Sequence, residues 1–449
     1  MCCEKTIVIT ISNLMSVRNY FHTGLADSFK EQFRLKFLFD KDIFEELQQL
    51  GQLPKGFDIE PIYISKNKVF KCLFSLFTIA HNATLYKTSK SKRMIVDQIL
   101  GRKSSFLTKS LGKIRLNGLV FRIVRLCLLT FRVLFKNDFK IEGGTKPILV
   151  LTLPQSFLDF YVFLVLGKQV DKCVNQIFSW DNITSRGPIL NVPDYFFVWN
   201  FYVKNEIVKY YKYPEDRIKI VSVPFYDFFQ VNAPNNYVEV HNSRKELTVL
   251  YTTGETSFID YEPNLVEEIY KALNERYDLR FIIRLHPLDK LSNYKVHKHS
   301  NVKIVEPTSQ IIRIKDQEEY YFSQDDYQMY VEQLIKADLI LNIASTVTID
   351  ALILGKSVAN INFMPKIYKG KKNINDYYNT EHYSKVVAYD LVPIIGNYGE
   401  LFSLVDKISS KRFSYKEPRM MKFKKDFFAL ESEKFSSTNR LIDAFRQLN

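Results

Sequence analysis

ADLILNIASTVTIDALILGKSVANINF, residues 337–363, decides how the chain is read. Leu339 to Asn342 predicts a short buried strand, Ile343 to Ser345 a turn, Thr346 to Leu354 a helix with Gly355 as its stop, and Ser357 to Phe363 the next strand. Strand, helix and strand in that order form a βαβ unit of a parallel sheet. Ser345 and Thr346 fall at the helix N-terminus, where backbone N–H groups, two hydroxyls and the positive end of the helix dipole favour an anion such as phosphate. Upstream, FIIRLHP (281–287) predicts a strand from Phe281 to Leu285 that delivers His286 to its carboxyl end, the edge of an open parallel sheet where ligands sit. An imidazole and a hydroxyl-rich helix start on neighbouring strand ends suit a phosphate or diphosphate leaving group. A plainer reading also stands, in which Ser345 and Thr346 cap a helix and His286 is a surface residue before a proline.

The His286-Pro287 pair and the later Ser345-Thr346 helix start resemble the nucleotide-binding half of GT-B glycosyltransferases that include bacterial polysialyltransferases, Kdo transferases and CDP-glycerol glycerophosphotransferases. The likeness extends to Asp350 and the GKSV turn (355–358), which is similar to the D…GKPV ending of the phosphotransferases. The resemblance implies a donor site in which His286 contacts the donor phosphate and Ser345 and Thr346 hold it, with Arg284 and Asp350 beside them. It also implies a nucleotide-sugar co-substrate, CMP- or CDP-linked by preference, with no bound cofactor.

At 449 residues the chain has length for two domains, and 46 % hydrophobic with 14 % aromatic content argues for folded domains. MCCEKTIVITIS (1–12) shows no basic region followed by an apolar run and cleavage site, so the sequons at Asn82 and Asn182 carry no weight. Five scattered cysteines without C-x-x-C spacing argue against a disulfide framework or a zinc site, and the expected home is a reducing cytoplasm. The net charge of +14 is concentrated: residues 87–140 hold fourteen Lys and Arg against only Asp97 and Asp138. Within that stretch, Lys113 to Lys136 is strongly apolar, and at about 100° per residue Arg115, Arg122, Arg125, Arg132 and Lys136 share roughly a 100° arc. Arginine recurs too often for a membrane-spanning helix. Two readings remain open: a segment lying on an anionic membrane surface, or a core helix with a solvated basic face. Nucleic acid is not expected, since no RNP, zinc-finger or basic-zipper pattern is present.

Thr6 to Ser12 and Arg34 to Asp40 predict strands around a loop and helix at Arg18 to Gln32, a Rossmann-like start without G-x-G-x-x-G. Residues from about 65 to 140 read as a helical, basic insertion. Strand-like runs resume at Pro147 to Leu153, Val174 to Trp180, Tyr195 to Trp199 and Ile218 to Val223. VWNFYVKNEIVKYYKYPEDRIKIVSVPFYDFF (198–229) resembles the last strand, helix and strand of a GT-B N-terminal domain, where a glycine usually precedes the final proline turn; here Ser222 and Val223 precede Pro224. Gln230 to Lys245 reads as a linker, Leu247 to Thr253 as the first strand of the second domain, and Pro263 to Arg276 as a helix.

FSWDNITSRGPI (178–189) resembles the W-H-G-T loop of the glycerophosphotransferases, with Asp181 where that pattern has histidine. An ionised carboxylate can accept a proton from an acceptor hydroxyl as its oxygen attacks an anomeric carbon, so Asp181 is the candidate base and Glu255, in TTGETSF (252–258), its rival. An Asx turn at Asp181 and Asn182 is the bland account. Acceptor contacts are expected from Asn182, Thr184 and Arg186, and from Arg18, Asn19 and His22 after the first strand. YYNTEHYSKVV (377–387) places Glu381 and His382 in a loop before a short strand; similar loops recur in GT-B enzymes of bacterial surface polysaccharide clusters, which implies a donor contact, while packing of Tyr377, Tyr378 and Tyr383 is the alternative. Asp40-Lys41-Asp42 matches D-x-D, but it stands alone on a surface loop, so no metal site is expected.

The expectation is therefore an α/β GT-B protein with two Rossmann-like domains facing a cleft. Residues 1–229 would bind the acceptor and carry the basic helical insertion, 230–415 would bind the nucleotide donor, and 416–449 would form a helical tail. Its expected activity is metal-independent transfer of a sugar from a nucleotide-activated donor to a cell-surface glycan or lipid-linked acceptor, by an enzyme peripheral at the inner membrane face. A nucleotide-sugar 2-epimerase of the same fold and a non-catalytic membrane-associated scaffold are the alternatives.

Overall fold

TIVITI and RLKFLFD are rich in β-branched and aromatic residues, and they form the paired parallel strands β1 (Thr6–Ile11) and β2 (Arg34–Asp40). The computed structural model describes residues 5–63, 68–98, 106–110, 123, 126, 130, 146–232, 246–255, 259–296, 299–307, 310–314, 317–368, 370, 373–429 and 436–448. The chain divides into two compact units, one of residues 1–227, 311–321 and 425–449, the other of residues 228–310 and 322–424. The basic face from Arg115 to Lys136 and most of the linker at 230–245 lie outside the described residues.

The first unit holds a seven-stranded parallel sheet: β1 and β2, then β3 (Asp58–Ile62), β4 (Ile148–Leu151), β5 (Lys172–Ile177), β6 (Tyr195–Val198) and β7 (Ile218–Ile220), in the order β3-β2-β1-β4-β5-β6-β7. Its strands are buried on both faces, as parallel sheets require, and Ile7, Val8, Ile9, Leu149 and Val150 are fully enclosed. The order reverses between β1 and β4, which makes their carboxyl ends the topological switch point. Helices Lys68–Tyr86 and Lys90–Gln98 begin the expected insertion. The C-terminal segment joins this unit because the Asp227 carboxylate caps helix Ser437–Arg446, accepting the N–H of Ser437 at 2.8 Å and of Thr438 at 2.9 Å. Phe445 of that helix packs edge-on against Phe29 and Phe197.

The second unit holds β8 (Leu247–Thr252), β9 (Leu279–Arg284), β10 (Val302–Val305), β13 (Leu339–Asn342), β14 (Val358–Ile361) and β15 (Ile394–Ile395), all parallel in the order β10-β9-β8-β13-β14-β15. A hairpin of β11 (Gln310–Ile314) and β12 (Gln317–Tyr321), and the strands β3 and β10, were not visible in the sequence pattern. Helix Gln324–Lys336 starts at a capping box between Ser323 and Asp326. The decisive βαβ unit is present as β13, helix Val347–Ile353 and β14; Gly355 stops the helix with the left-handed φ of 67° that glycine adopts without strain.

Two expectations are corrected here. His286 and Ser345 are not on neighbouring strand ends, because β8 pairs with both β9 and β13 and stands between them. Glu381 and His382 precede a short helix, Tyr383–Val387, rather than a strand. No described helix is long and apolar enough to cross a membrane.

Candidate functional site

Each unit carries its own group of polar residues at the carboxyl edge of its sheet. In the second unit the strand between the two expected motifs supplies the centre. β8 runs into Thr253, Gly254 and Glu255, and Thr253 Oγ1 accepts the His286 backbone N–H at 2.8 Å. The Leu288 N–H donates to His286 Nδ1 at 3.2 Å, so the ring proton of the neutral imidazole sits on Nε2, free to be offered as a donor. Burial lowers the imidazole's pKa, against the raising effect of the nearby Glu255 and Asp289 carboxylates. The half-buried His286 is thus a neutral donor beside the strand-end loop of Thr253 and Gly254, whose own N–H groups go to the Arg284 carbonyl at 3.0 Å and the Glu262 carboxyl at 2.7 Å.

Across β8, the loop after β13 carries half-buried Ser345 and exposed Thr346. Ser345 Oγ accepts the Val347 N–H at 3.3 Å, and Ala344 holds a positive φ of 39°, a strained conformation for a residue with a side chain. A buried network beneath fixes this loop. Asn342 Oδ1 accepts Thr348 Oγ1 at 3.0 Å and Asn360 Nδ2 at 2.8 Å, while the Tyr383 hydroxyl donates to Asn360 Oδ1 at 2.7 Å. The signal in the sequence was a lone asparagine in each of two apolar strands, at the end of LILN and next to last in VANI.

Arg284 and Asp350 lie apart from His286, in a buried chain. Arg284 donates to Gln333 Oε1 at 2.8 Å with its guanidinium 4.9 Å from the Tyr330 ring, and the Tyr330 hydroxyl donates to Asp350 Oδ2 at 2.8 Å. These two brace helix Gln324–Lys336 and helix Val347–Ile353 rather than face the loops. Glu381 and His382 are half-buried at the start of helix Tyr383–Val387, beside the enclosed Tyr377, Tyr378 and Tyr383. Lys356 of the GKSV turn is a buried strut to the Ile335 carbonyl at 2.8 Å.

In the first unit, Asn13, Ser16, Asn19, Thr152, Ser179 and Asn182 line a small recess at the switch point, with room of about 10 Å³, enough for one water. Below it Ser16 Oγ donates to Thr152 Oγ1 at 2.8 Å, and the fully buried Asp159 receives the Leu153 N–H at 2.7 Å and the Ser12 hydroxyl. Burial pushes the Asp159 carboxyl up to about 6. This residue escaped sequence reading although it is the lone acid of FLDFYVFLVL (157–166), the most apolar of the described helices.

Asp181, next to that recess, accepts the hydroxyls of Ser179 and Ser185, the latter at 2.8 Å. Lys92 is buried behind it, donating to the Ser185 and Arg186 carbonyls at 2.9 and 2.7 Å; burial lowers its pKa to about 8, while Asp181 raises it. Of the acceptor candidates, Asn19 and Asn182 meet in the recess. Thr184 is fully buried, bonded to the Asp181 carbonyl at 3.2 Å, and Arg186 is exposed. Arg18 stacks 3.9 Å over the Phe225 ring. His22 Nε2 lies 3.2 Å from the Tyr321 hydroxyl, its pKa lowered to about 4 by burial and then by Arg18. Asp40 of the D-x-D match is a buried helix cap that accepts the Asp42 N–H at 3.1 Å.

The sequence matches no protein-family model and no curated protein. The structure is similar to a UDP-GlcNAc 2-epimerase from Methanocaldococcus jannaschii, at 13 % identity over 98 % of this chain and 99 % of that chain with a TM-score of 0.53. It is also similar to the Neisseria meningitidis UDP-GlcNAc 2-epimerase bound to UDP-GlcNAc, at 11 % identity over 98 % and 100 % of the two chains with a TM-score of 0.51. The wall teichoic acid polymerase TagF aligns at 12 % identity over 99 % of this chain and 90 % of that one, but its TM-score of 0.45 supports no argument. At such identities the likeness is one of fold. The chain has the two-domain α/β architecture of the GT-B fold.

Proposed function

We propose that this protein is a nucleotide-sugar-dependent glycosyltransferase of the GT-B fold, with the donor's phosphate bound at the β8–β9–β13 edge of the second unit. The observation that carries this reading is His286, a neutral imidazole whose Nδ1 is occupied by the Leu288 N–H and whose Nε2–H is left to meet a phosphate oxygen. The loops holding Thr253, Glu255, Ser345 and Thr346 flank it. In transfer, an acceptor hydroxyl oxygen attacks the anomeric carbon, the bond from that carbon to the phosphate oxygen breaks, and charge builds on the leaving phosphate. The His286 Nε2–H and the hydroxyls of Ser345 and Thr346 would stabilise that charge. The acceptor's proton passes to a carboxylate: Asp181 is the candidate in the first unit, beside the recess lined by Asn19 and Asn182, and Glu255 is its rival.

A second reading, a nucleotide-sugar 2-epimerase, is favoured by the full-length fold match to such enzymes. Transfer is preferred here on the sequence resemblance of the His286-Pro287 and Ser345-Thr346 motifs to GT-B glycosyltransferases. Cytidine is the expected base from sequence resemblance, whereas the Neisseria neighbour binds UDP-GlcNAc. Incubating the protein with UDP-, CDP- and CMP-sugars separates the readings. A transferase releases nucleotide only when a glycan or lipid-linked acceptor is supplied, and an epimerase changes the sugar with no acceptor. An anionic membrane is the proposed partner of the basic segment at 87–140. Among described residues of this region, Phe106, Leu107, Ile123 and Leu126 are exposed apolar side chains.

A further inference from the structure

Glu262 opens helix Glu262–Asn274 and is fully enclosed. Its Oε2 accepts the Gly254 N–H at 2.7 Å, and its Oε1 accepts the Tyr251 hydroxyl at 3.0 Å. The backbone it grips is the loop beside His286: Gly254 follows Thr253, whose Oγ1 takes the His286 N–H, and precedes Glu255. The fit is close, for a Cβ on Gly254 would stand 3.0 Å from Ile259 Cδ1 and 3.4 Å from Glu262 Oε2.

We propose that Glu262 is a positioning residue, whose carboxyl fixes Gly254 and through it the strand-end loop by which Thr253 orients His286 toward the donor phosphate. The functional half of this rests on the donor-site reading above. The groups that face Glu262 are Tyr251 on β8, Asp289 and Tyr294 after β9, Tyr261 beside it, and Tyr377 and Tyr378 of helix Asn375–Tyr378. None of these is a cation. Burial pushes all five tyrosines up, so they keep their protons at neutral pH. Burial, aided by Asp289, also pushes Glu262 up to about 8, against the lowering bonds from Gly254 and Tyr251. The acid form therefore holds the loop at neutral pH, and ionisation above about 8 puts an uncompensated charge beneath it.

The test pairs hydrogen exchange of segment 250–255, corrected for intrinsic rate, with titration of UDP and CDP, on the full chain at pH 6.5 to 9.5. Glu262→Gln can accept the Gly254 N–H and donate to Tyr251, so it should protect the segment at least as well as the wild type at pH 7 and keep that protection at pH 9, where the wild type's exchange rises about tenfold or more. Glu262→Leu should exchange at least tenfold faster at pH 7 and bind nucleotide more weakly; Gly254→Ala, which leaves the carboxyl in place but crowds it, is expected to do the same if the leucine variant does not fold. Wild-type protection in Glu262→Leu or Gly254→Ala, or wild-type pH dependence in Glu262→Gln, would overturn the proposal. If the exchange pattern holds but the wild type binds neither UDP nor CDP, the donor-site reading falls and takes the functional half with it.

Discussion

Replacing Glu262 by glutamine should stabilise the second unit at neutral pH, against the usual direction of a core substitution. The folded carboxyl has its pKa raised to about 8 from an ordinary 4.5. The sign follows from proton binding: above pH 4.5 the unfolded chain loses this proton while the folded chain keeps it, so stability is fully present below pH 4.5 and is lost as pH rises toward about 8. Each pH step in that window costs about 1.4 kcal/mol, hence roughly 3 kcal/mol between pH 4.5 and 7. Glutamine has no such dependence and can keep both hydrogen bonds. Glu262→Gln should therefore equal the wild type near pH 4.5 and exceed it by about 2 to 3 kcal/mol at pH 7. Trp180 and Trp199 both lie in the first unit, so fluorescence would report the wrong part of the chain. Native-state hydrogen exchange of β8 and β9 in denaturant, at several pH values, reads the right one, and the difference between the two proteins cancels other titrating groups. A variant that is less stable at pH 7, or a difference independent of pH, would refute an acid held protonated by burial.

Asp181→Asn should leave nucleotide binding intact and cut turnover by about 10²-fold or more if Asp181 is the base. An active Asp181→Asn protein beside an inactive Glu255→Gln one would move the base to the second unit. The double change Ser345→Ala, Thr346→Ala removes two charge-assisted contacts of roughly 1.5 to 3 kcal/mol each, so calorimetry should show nucleotide affinity reduced at least tenfold; unchanged affinity assigns both residues to the turn alone. Ser222 holds a φ of 63° with its hydroxyl enclosed, so Ser222→Gly should raise stability by about 1 kcal/mol in a thermal melt, and a lower melting temperature would contradict the strain. Changing Arg122, Arg125 and Arg132 to Glu should release the protein from anionic liposomes at low salt without affecting nucleotide binding, each basic residue adding about 1 kcal/mol of attraction. A wild type that ignores such vesicles removes the proposed membrane partner.

The fold was legible where parallel-sheet burial writes itself as apolar runs: β2 and β13 begin and end where the sequence places them, and the other predicted strands shift by a few residues. β3, DIEPI, and β12, QEEYY, lack that apolar signature, since an edge strand and a hairpin gain their order from neighbours rather than from a buried run of their own. The glycine expected before Pro224 points to a real backbone requirement, met here by Ser222 in a left-handed conformation. Sheet order was not legible. Nothing in the spacing of His286 and Ser345 reveals that β8 lies between their strands, because pairing across a sheet depends on contacts far apart in sequence. For the same reason Glu262 and Asp159 passed unnoticed: each is an ordinary acid in a helix until the fold encloses it.

The most direct test of the account is a thermal-shift panel of UDP, CDP, CMP and GDP on the wild type and on His286→Ala. A nucleotide at about 100 times its dissociation constant should stabilise the folded protein by about 2.7 kcal/mol. The account predicts that a pyrimidine nucleotide produces this shift in the wild type, that GDP does not, and that His286→Ala loses most of it while remaining folded. No shift with any nucleotide, or an equal shift in His286→Ala, would contradict a donor-phosphate site at the β8–β9–β13 edge.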